Sequence, residues 1–154
     1  MVRETGIGRL TSLHALAGSW RITRDILHAD GTRASFEGEA TFTPSGQQLI
    51  QDETGRLALG GQSFAASRRY VWREAGDVLE VLFDDLRPFH CISAGAERHE
   101  ATHLCGPDRY DVAYDFTQWP RWRSVWRVLG PQKDYIMTSD YAPIKLFPSR
   151  NTPG

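Results

Sequence analysis

A chain of 154 residues with a net charge of −1 is long enough to bury one core, and its charge gives no reason to expect nucleic acid or an anionic membrane as a partner. Apolar residues make up 40% and charged residues 24%, which is typical of a globular protein. The longest apolar runs fall far short of the ~20 residues of a membrane span. Arg3 and Glu4 precede any apolar stretch, which argues against a secretory signal. With two cysteines and no CxxC motif, we expect reduced thiols in a cytoplasmic protein.

The first predicted element is a single helical turn. Thr11 or Ser12 can cap a turn through Leu13–Leu16, and Gly18 would end it. After this turn, residues that favour turns recur about every ten positions, which is the spacing of an all-β barrel or sandwich.

The first predicted hairpin joins two strands with one apolar row each. A two-residue turn at Asp30-Gly31 would mix the faces of the strands. A three-residue loop over residues 29–31, with Gly31 in the left-handed conformation, aligns the two rows instead. The rows are Trp20, Ile22, Arg24 and Ile26 in the first strand, and Ala34, Phe36, Gly38, Ala40 and Phe42 in the second.

The second predicted hairpin turns at Ala75-Gly76. A two-residue turn there places Trp72 opposite Leu79 and Tyr70 opposite Val81, on one largely apolar face. Arg68 would then lie opposite Phe83 on that face. The other face carries polar and charged residues, as a solvated surface does. These are Ser67, Arg69, Arg73, Glu80 and Asp84.

The third predicted hairpin has aromatic residues along one face of both strands. A five-residue loop over residues 117–121 aligns these aromatic rows. It also places Asp115 opposite Arg123 and Asp111 opposite Arg127 on the outer face, where opposite charges favour each other. Trp119-Pro120 then belongs to the loop, because proline does not suit a central strand.

Further strands are expected near residues 47–53, 89–93, 99–104 and 134–141. The total of eight to ten strands predicts an all-β fold, namely a single antiparallel up-and-down β-barrel with a short N-terminal helix. A sandwich of two sheets is the structural alternative. We expect one domain over residues 1–154, with the helical turn and barrel in residues 10–142 and a C-terminal tail in residues 143–154.

Gly18-Ser19-Trp20, placed just before the first strand, resembles the Gly-x-Trp signature of the calycins, which include lipocalins and fatty-acid-binding proteins. The stretches over residues 83–90 and 105–110 resemble an uncharacterised bacterial family among calycin-like barrels that has no assigned activity. The resemblance implies a barrel that binds a hydrophobic or amphipathic ligand, although a minority of calycins are enzymes. The chain departs from the calycin pattern in lacking both a clear Arg-x-Tyr clamp in residues 134–141 and the disulfides of secreted lipocalins.

Large aromatic residues and two arginines are the candidate ligand-binding groups. The aromatic residues either line a pocket or fill the core, and Gly38, Ala40 and Ala66 would leave room beside them. Arg24 and Arg68 fall on the same inner faces, where a guanidinium needs an anion. That anion is either a ligand or an internal partner such as Asp85, which is expected diagonal to Arg68. The aromatic residues are Trp20, Phe36, Tyr70, Trp72, Tyr110, Tyr114, Trp122 and Trp126.

Three histidines form a conditional metal site. His99 and His103 share a face of one predicted strand, and a turn centred on Gly95-Ala96 would bring His90 diagonal to both. Three converging imidazoles are typical ligands of a catalytic zinc or non-haem metal. A register change of one residue would remove His90 from the group. Apart from this conditional metal, the sequence predicts no cofactor.

The sequence therefore predicts an intracellular protein that binds a small hydrophobic, amphipathic or aromatic ligand inside a β-barrel. The alternatives are a small-molecule enzyme on the same barrel, of the isomerase, cyclase or decarboxylase type and with or without a metal, and a structural protein with a filled barrel. Acid or base groups for the enzyme would come from a few acids and tyrosines. They are Asp84, Asp85, Asp108, Tyr110 and Tyr114. Homo-oligomerisation is left open.

Overall fold

A computed structural model of the protein describes residues 13–93 and 95–146. It contains one 3₁₀ helix, Leu13–Leu16, followed by ten strands. The capping positions Thr11 and Ser12 lie outside the described residues. The strands are β1 Gly18–His28, β2 Arg33–Ser45, β3 Gln48–Leu59, β4 Gln62–Ala75, β5 Val78–Phe83, β6 Pro88–Ser93, β7 Arg98–Cys105, β8 Asp108–Asp115, β9 Trp122–Gly130 and β10 Lys133–Leu146.

All ten strands form one antiparallel sheet that curls into a nearly closed barrel. The strand order is β6-β5-β4-β3-β2-β1-β10-β9-β8-β7, so the first and last strands pair and the only break in the described sheet lies between β6 and β7. This confirms the predicted all-β up-and-down barrel. Among the described residues, no helix has both the length and the apolar character needed to cross a membrane.

The last strand is longer than predicted. β10 does not end near residue 142 but continues to Leu146, where it still pairs with Gly18 of β1. A register shift between Ser19 and Trp20 skips Ile144, so that Ser19 lies opposite Lys145 and Trp20 lies opposite Pro143. The tail expected over residues 143–154 therefore begins later, and residues 147–154 lie outside the described part of the chain.

The first hairpin has the predicted register. Its loop covers residues 29–31, the His28 N–H donates to the Thr32 carbonyl over 2.9 Å, and Gly31 has a φ of 90°. Trp20 lies opposite Ala40 and Arg24 lies opposite Phe36. The apolar rows of β1 and β2 therefore face the interior together.

The second hairpin differs in its turn from the prediction. The turn residues are Gly76 and Asp77, so Trp72 lies opposite Val81 rather than Leu79, and Tyr70 lies opposite Phe83 rather than Val81. Gly76 has a φ of 63°, a conformation that glycine adopts at little cost and alanine does not. The partners shift by two residues, which leaves every side chain on its predicted face.

The third hairpin has the predicted register, with Asp115 opposite Arg123 and Asp111 opposite Arg127. The arginines nevertheless bind acids on β10 instead. Arg123 Nε lies 2.7 Å from Asp140 and Arg127 Nη1 lies 2.8 Å from Asp134. The Trp119-Pro120 peptide is cis and belongs to the loop.

The 3₁₀ helix covers one end of the barrel. Leu13 and Leu16 are buried, and the Trp20 indole N–H donates to the Leu16 carbonyl over 2.9 Å. Trp20 is fully buried, and its ring lies 5.5 Å from that of Trp119 in the β8–β9 loop. The opposite end, where the β1–β2, β3–β4 and β5–β6 turns lie, is the open end.

Candidate functional site

A buried ion pair occupies the centre of the barrel. Arg24 on β1 lies 2.9 Å through Nη1 and 3.1 Å through Nη2 from the two carboxylate oxygens of Glu53 on β3. Arg24 Nε also donates to Ser139 over 2.6 Å. Burial opposes the charge of Arg24, but the Tyr141 oxygen and the Glu53 carboxylate outweigh it and raise the pKa of the guanidinium. The guanidinium therefore stays charged.

The Glu53 carboxylate receives further hydrogen bonds. Gln51 Nε2 donates over 2.7 Å and the Tyr141 hydroxyl over 3.1 Å, while Gln51 Oε1 accepts from the Trp72 indole over 2.7 Å. Burial, followed by the charge of Glu53, raises the pKa of Tyr141 well above its usual range, which keeps this hydroxyl a donor. The network satisfies Arg24 from within the protein, so Arg24 is not available to a ligand.

Sequence reasoning missed Glu53. The predicted strand over residues 47–53 ended at this residue, so its face was not assigned. Leu49, Gln51 and Glu53 occupy alternate positions, so extending the inward row that begins at Leu49 would have placed Glu53 inside the barrel. All three side chains are buried.

The aromatic residues mostly fill the barrel. Trp72, Trp122, Trp126 and Tyr114 are buried and surround a remaining cavity of only about 10 Å³. A space of this size is at the lower limit for one water molecule, whose own requirement is ~10–15 Å³. The interior around the ion pair therefore has no room for a whole organic ligand.

Gly38 leaves no room for a ligand either, contrary to the expectation. It lies opposite Gly55 on β3, and the buried Phe36 ring packs against both glycines. A β-carbon on Gly38 would lie 2.9 Å from the Phe36 ring and 2.8 Å from the Gly55 Cα, and would collide with the Thr54 carbonyl. The glycines make space for Phe36.

The three histidines do not converge. His90 Nε2 lies 2.8 Å from the Tyr114 hydroxyl, whereas His99 Nε2 lies 2.8 Å from the Cys91 carbonyl. His103 packs its ring 5.5 Å from Phe89. Within the described part of the chain, no three His, Cys, Asp or Glu side chains are placed to hold a metal. The expectation assumed a β6–β7 ladder, but these are the two unpaired edges of the sheet, so no ladder sets their register.

His99 instead connects the two edges of the sheet. The Ser93 N–H donates to His99 Nδ1 over 3.3 Å, which leaves Nε2–H to donate to the Cys91 carbonyl. One imidazole on β7 thus replaces ladder hydrogen bonds to β6.

His90 is held neutral. Burial, with smaller contributions from the charges of His103 and His99, lowers its pKa from 6.5 to about 3. Its partner Tyr114 has a pKa raised well above 10.0, chiefly by burial. Neither group changes its charge near neutral pH, so this buried pair is a structural contact.

Arg68 lies at the open end with its charge unpaired. It is exposed, its Nη1 donates to the Tyr70 hydroxyl over 3.3 Å, and its Cζ lies 6.0 Å from the Trp126 ring centroid. Among the described residues, no carboxylate lies within ion-pair distance of Arg68. Asp85, its expected partner, binds Arg87 over 2.7 Å instead.

Arg68 is also where three spaces meet. It lines the interior cavity, a cavity of about 70 Å³ at the open end, and an outer groove of about 490 Å³. The groove exists because β5 ends at Phe83, opposite Tyr70, so that residues 62–69 of β4 have no β5 partner. The cavity at the open end is also lined by Arg24, Ile26, Phe36, Glu53, Leu57, Ala66 and Ser67.

Two further polar groups at the open end were not foreseen. Lys133 Nζ lies 3.1 Å from the Tyr110 hydroxyl and 3.0 Å from Asp108, and hydrogen bonds to both raise its pKa. Tyr135 is half-buried, and burial raises its pKa. Both side chains follow the inward alternation of β10, but the predicted strand began at residue 134 and its inward row was not traced.

The fold and the site together define an up-and-down β-barrel with a filled polar centre, one covered end and one open end with an unpaired arginine. The chain belongs to DUF6314, a family of unknown function, whose model matches residues 16–143. It matches no curated protein.

Two solved structures share the fold. A protein of unknown function from the DUF3598 family of Nostoc punctiforme is 13% identical with a TM-score of 0.56, and the match covers 86% of this chain and 48% of that one. The chain thus spans about half the length of the Nostoc protein. The S-type phycobiliprotein lyase CPES from Guillardia theta is 9% identical with a TM-score of 0.57, and the match covers 85% of this chain and 89% of that one.

Proposed function

We propose that this protein binds a small amphipathic or aromatic ligand at the open end of the barrel, and that Arg68 holds the anionic group of the ligand. The observation that carries the proposal is the position of Arg68, whose side chain lines all three spaces. An arginine without a carboxylate partner next to apolar surface is the arrangement that binds a ligand carboxylate or phosphate.

Apolar side chains beside Arg68 provide the remaining contact area. Phe36 and Ala66 line the 70 Å³ cavity, and Tyr70 and Phe83 line the outer groove. The cavity is far smaller than the ~300 Å³ at which ligand pockets usually start, so the ligand lies partly in the groove rather than wholly inside. Compact ligands with one aromatic ring fit this geometry better than long acyl chains.

We also infer that the barrel is of the calycin kind and that the protein is cytoplasmic. The short helix before the Trp20 strand and the ten-stranded meander support the first inference. Two free thiols, one of them the exposed Cys91, support the second, because free thiols are typical of reducing compartments.

A structural protein with a filled barrel is the second candidate. The cavity of about 10 Å³ at the centre of the barrel favours this candidate, because it has no room for an organic ligand. This candidate assigns no role to the unpaired charge of Arg68 and predicts that no ligand binds there.

Titration of a carboxylate and its ester separates the two candidates. We expect 4-isopropylbenzoate to bind the protein at least about tenfold more tightly than its methyl ester, because a charge-assisted hydrogen bond contributes ~1.5–3 kcal/mol. Arg68→Ala should abolish this preference. Arg73→Ala is the matched control, because Arg73 lies on the same strand but faces outward, binds Glu80 over 2.6 Å and does not line the groove. No binding of either compound would favour the filled barrel, and equal affinity for acid and ester would overturn the role proposed for Arg68.

A further inference from the structure

Two buried indole N–H groups in the barrel have no acceptor. Trp122 and Trp126 are 3% and 8% exposed, and neither Nε1 atom has a hydrogen-bond partner among the described residues. Two other tryptophans, Trp20 and Trp72, donate to Leu16 and to Gln51. A buried donor left without a partner costs ~1–3 kcal/mol, so an acceptor supplied from outside the chain is favoured.

Both tryptophans line the same 10 Å³ interior cavity. Arg68 and Tyr70 line this cavity and also the outer groove, so these two side chains form the wall between the interior and the groove. Only a hydrogen bond of 3.3 Å joins them, and Arg68 is exposed. Arg68 is therefore the side chain that would have to move for a molecule in the groove to reach the cavity.

The cavity selects a small uncharged acceptor. A volume of about 10 Å³ suits one oxygen atom and not a ring. The Glu53 carboxylate lines the same cavity, and its charge is already balanced by Arg24. A second anion there would be repelled by Glu53 and would lose its hydration, whereas a carbonyl oxygen has no net charge and its smaller loss of hydration is offset by the indole hydrogen bonds.

We infer, building on the ligand site proposed above, that the ligand carries a carbonyl oxygen in addition to its anionic group, and that this oxygen accepts hydrogen bonds from the indole N–H groups of Trp122 and Trp126. The body of the ligand lies across Arg68 and Tyr70. The substrate class is thus a compact keto acid or acyl-substituted aromatic acid.

Two benzoates of nearly equal shape test the inference. 4-Acetylbenzoate carries a ketone opposite its carboxylate, and in 4-isopropylbenzoate a methyl group and a hydrogen stand in place of the ketone oxygen. We expect 4-acetylbenzoate to bind at least about fivefold more tightly, which corresponds to one net hydrogen bond. Trp126→Phe should remove this preference. Trp119→Phe is the matched control, because Trp119 packs against Trp20 and does not line the cavity.

The indole resonances in a ¹H–¹⁵N spectrum provide a second readout. 4-Acetylbenzoate should shift the Trp122 and Trp126 indole signals while the already bonded Trp20 and Trp72 signals move little. Equal binding of both benzoates, lost together in Arg68→Ala, would overturn the carbonyl site and leave the proposed function standing. Absence of Arg68-dependent binding by either benzoate would overturn the proposed function, and the carbonyl site with it.

Discussion

Arg24 and Glu53 form a bidentate ion pair inside the barrel, with nitrogen–oxygen distances of 2.9 and 3.1 Å. Glu53 is only 2% exposed. Ser139, Gln51 and Tyr141 complete the hydrogen bonds of the pair. The pair links β1 and β3, two strands that are not neighbours in the sheet. It therefore crosses the inner face of β2, which lies between them, and occupies space in the barrel that a ligand would need.

Breaking this pair should destabilise the fold strongly. Arg24→Met or Glu53→Leu leaves one buried charge without a partner, and each should lower the free energy of unfolding by about 3–5 kcal/mol. The double variant should recover most of this loss, because two apolar side chains replace the pair. Urea unfolding measures the free energy of unfolding of the two single variants and the double variant. Arg69→Ala, which breaks the exposed Arg69–Asp52 pair, should cost under about 1 kcal/mol. A loss that small in Glu53→Leu would contradict the account.

The barrel was predictable from alternation and turn chemistry. Gly31 and the charge pattern of Asp111 and Asp115 were sufficient to place the first and third hairpins, because a register error moves every side chain to the wrong face. The second turn was misplaced by one residue, since local sequence does not decide whether Gly76 is the first or second turn position. Because the partners shifted by two residues, every side chain stayed on its predicted face, and the pattern of apolar and polar faces did not reveal the error.

The site was less predictable because it depends on contacts between distant strands. Arg68 was predicted to be a ligand-binding residue because of its inward position. Asp85, the internal partner considered for it, binds Arg87 instead. The Arg24–Glu53 contact depends on how far the barrel curves, which no local pattern records. The histidine cluster failed because the break in the sheet lies between β6 and β7, and alternation along a strand does not reveal which edges stay unpaired.

Burial of neutral His90 should make stability depend on pH. Its pKa is lowered from 6.5 to about 3, so between these values the unfolded chain binds a proton that the folded protein does not. The free energy of unfolding should therefore fall as the pH drops from about 6.5, at up to about 1.4 kcal/mol per pH unit from this group. Carboxyl groups with lowered pKa, such as Asp111, contribute chiefly at lower pH, because in the unfolded chain they take up protons around their usual pKa of 3.8.

Urea unfolding at several pH values between 4.5 and 7 isolates the histidine contribution. His90→Gln retains a polar group for Tyr114. It should reduce the slope of the unfolding free energy against pH by up to about 1.4 kcal/mol per pH unit, which is the contribution of one proton. His14→Gln, at an exposed residue, is the control and should keep the wild-type slope. An unchanged slope in His90→Gln would mean that another group is responsible.

His99 should hold the break in the sheet together. His99→Ala removes the acceptor for the Ser93 N–H and the donor to the Cys91 carbonyl. Hydrogen exchange of the Ser93 amide should become about threefold to tenfold faster, as expected for the loss of a hydrogen bond worth ~0.5–1.5 kcal/mol. The Val125 amide in β9 should exchange as before. Equal acceleration of both amides would indicate general destabilisation rather than loss of a local connection.

Gly38 should not tolerate a side chain. Gly38→Ala places a methyl group against the backbone of β3 and the Phe36 ring, so we expect a loss of about 2 kcal/mol or more in unfolding free energy. Ser35→Ala, at an exposed position of the same strand, should stay within about 0.5 kcal/mol of wild type. If Gly38→Ala left the free energy of unfolding unchanged, the contact between β2 and β3 would be looser than described.

Native mass spectrometry of the protein, purified gently from the cells that make it, shows whether a ligand occupies the open end of the barrel. We expect a population carrying one small organic acid, which is retained in Arg73→Ala and lost in Arg68→Ala. A protein that carries no added mass, or an added mass retained equally by both variants, would contradict the claim that Arg68 holds the anionic end of a ligand at the open end of the barrel.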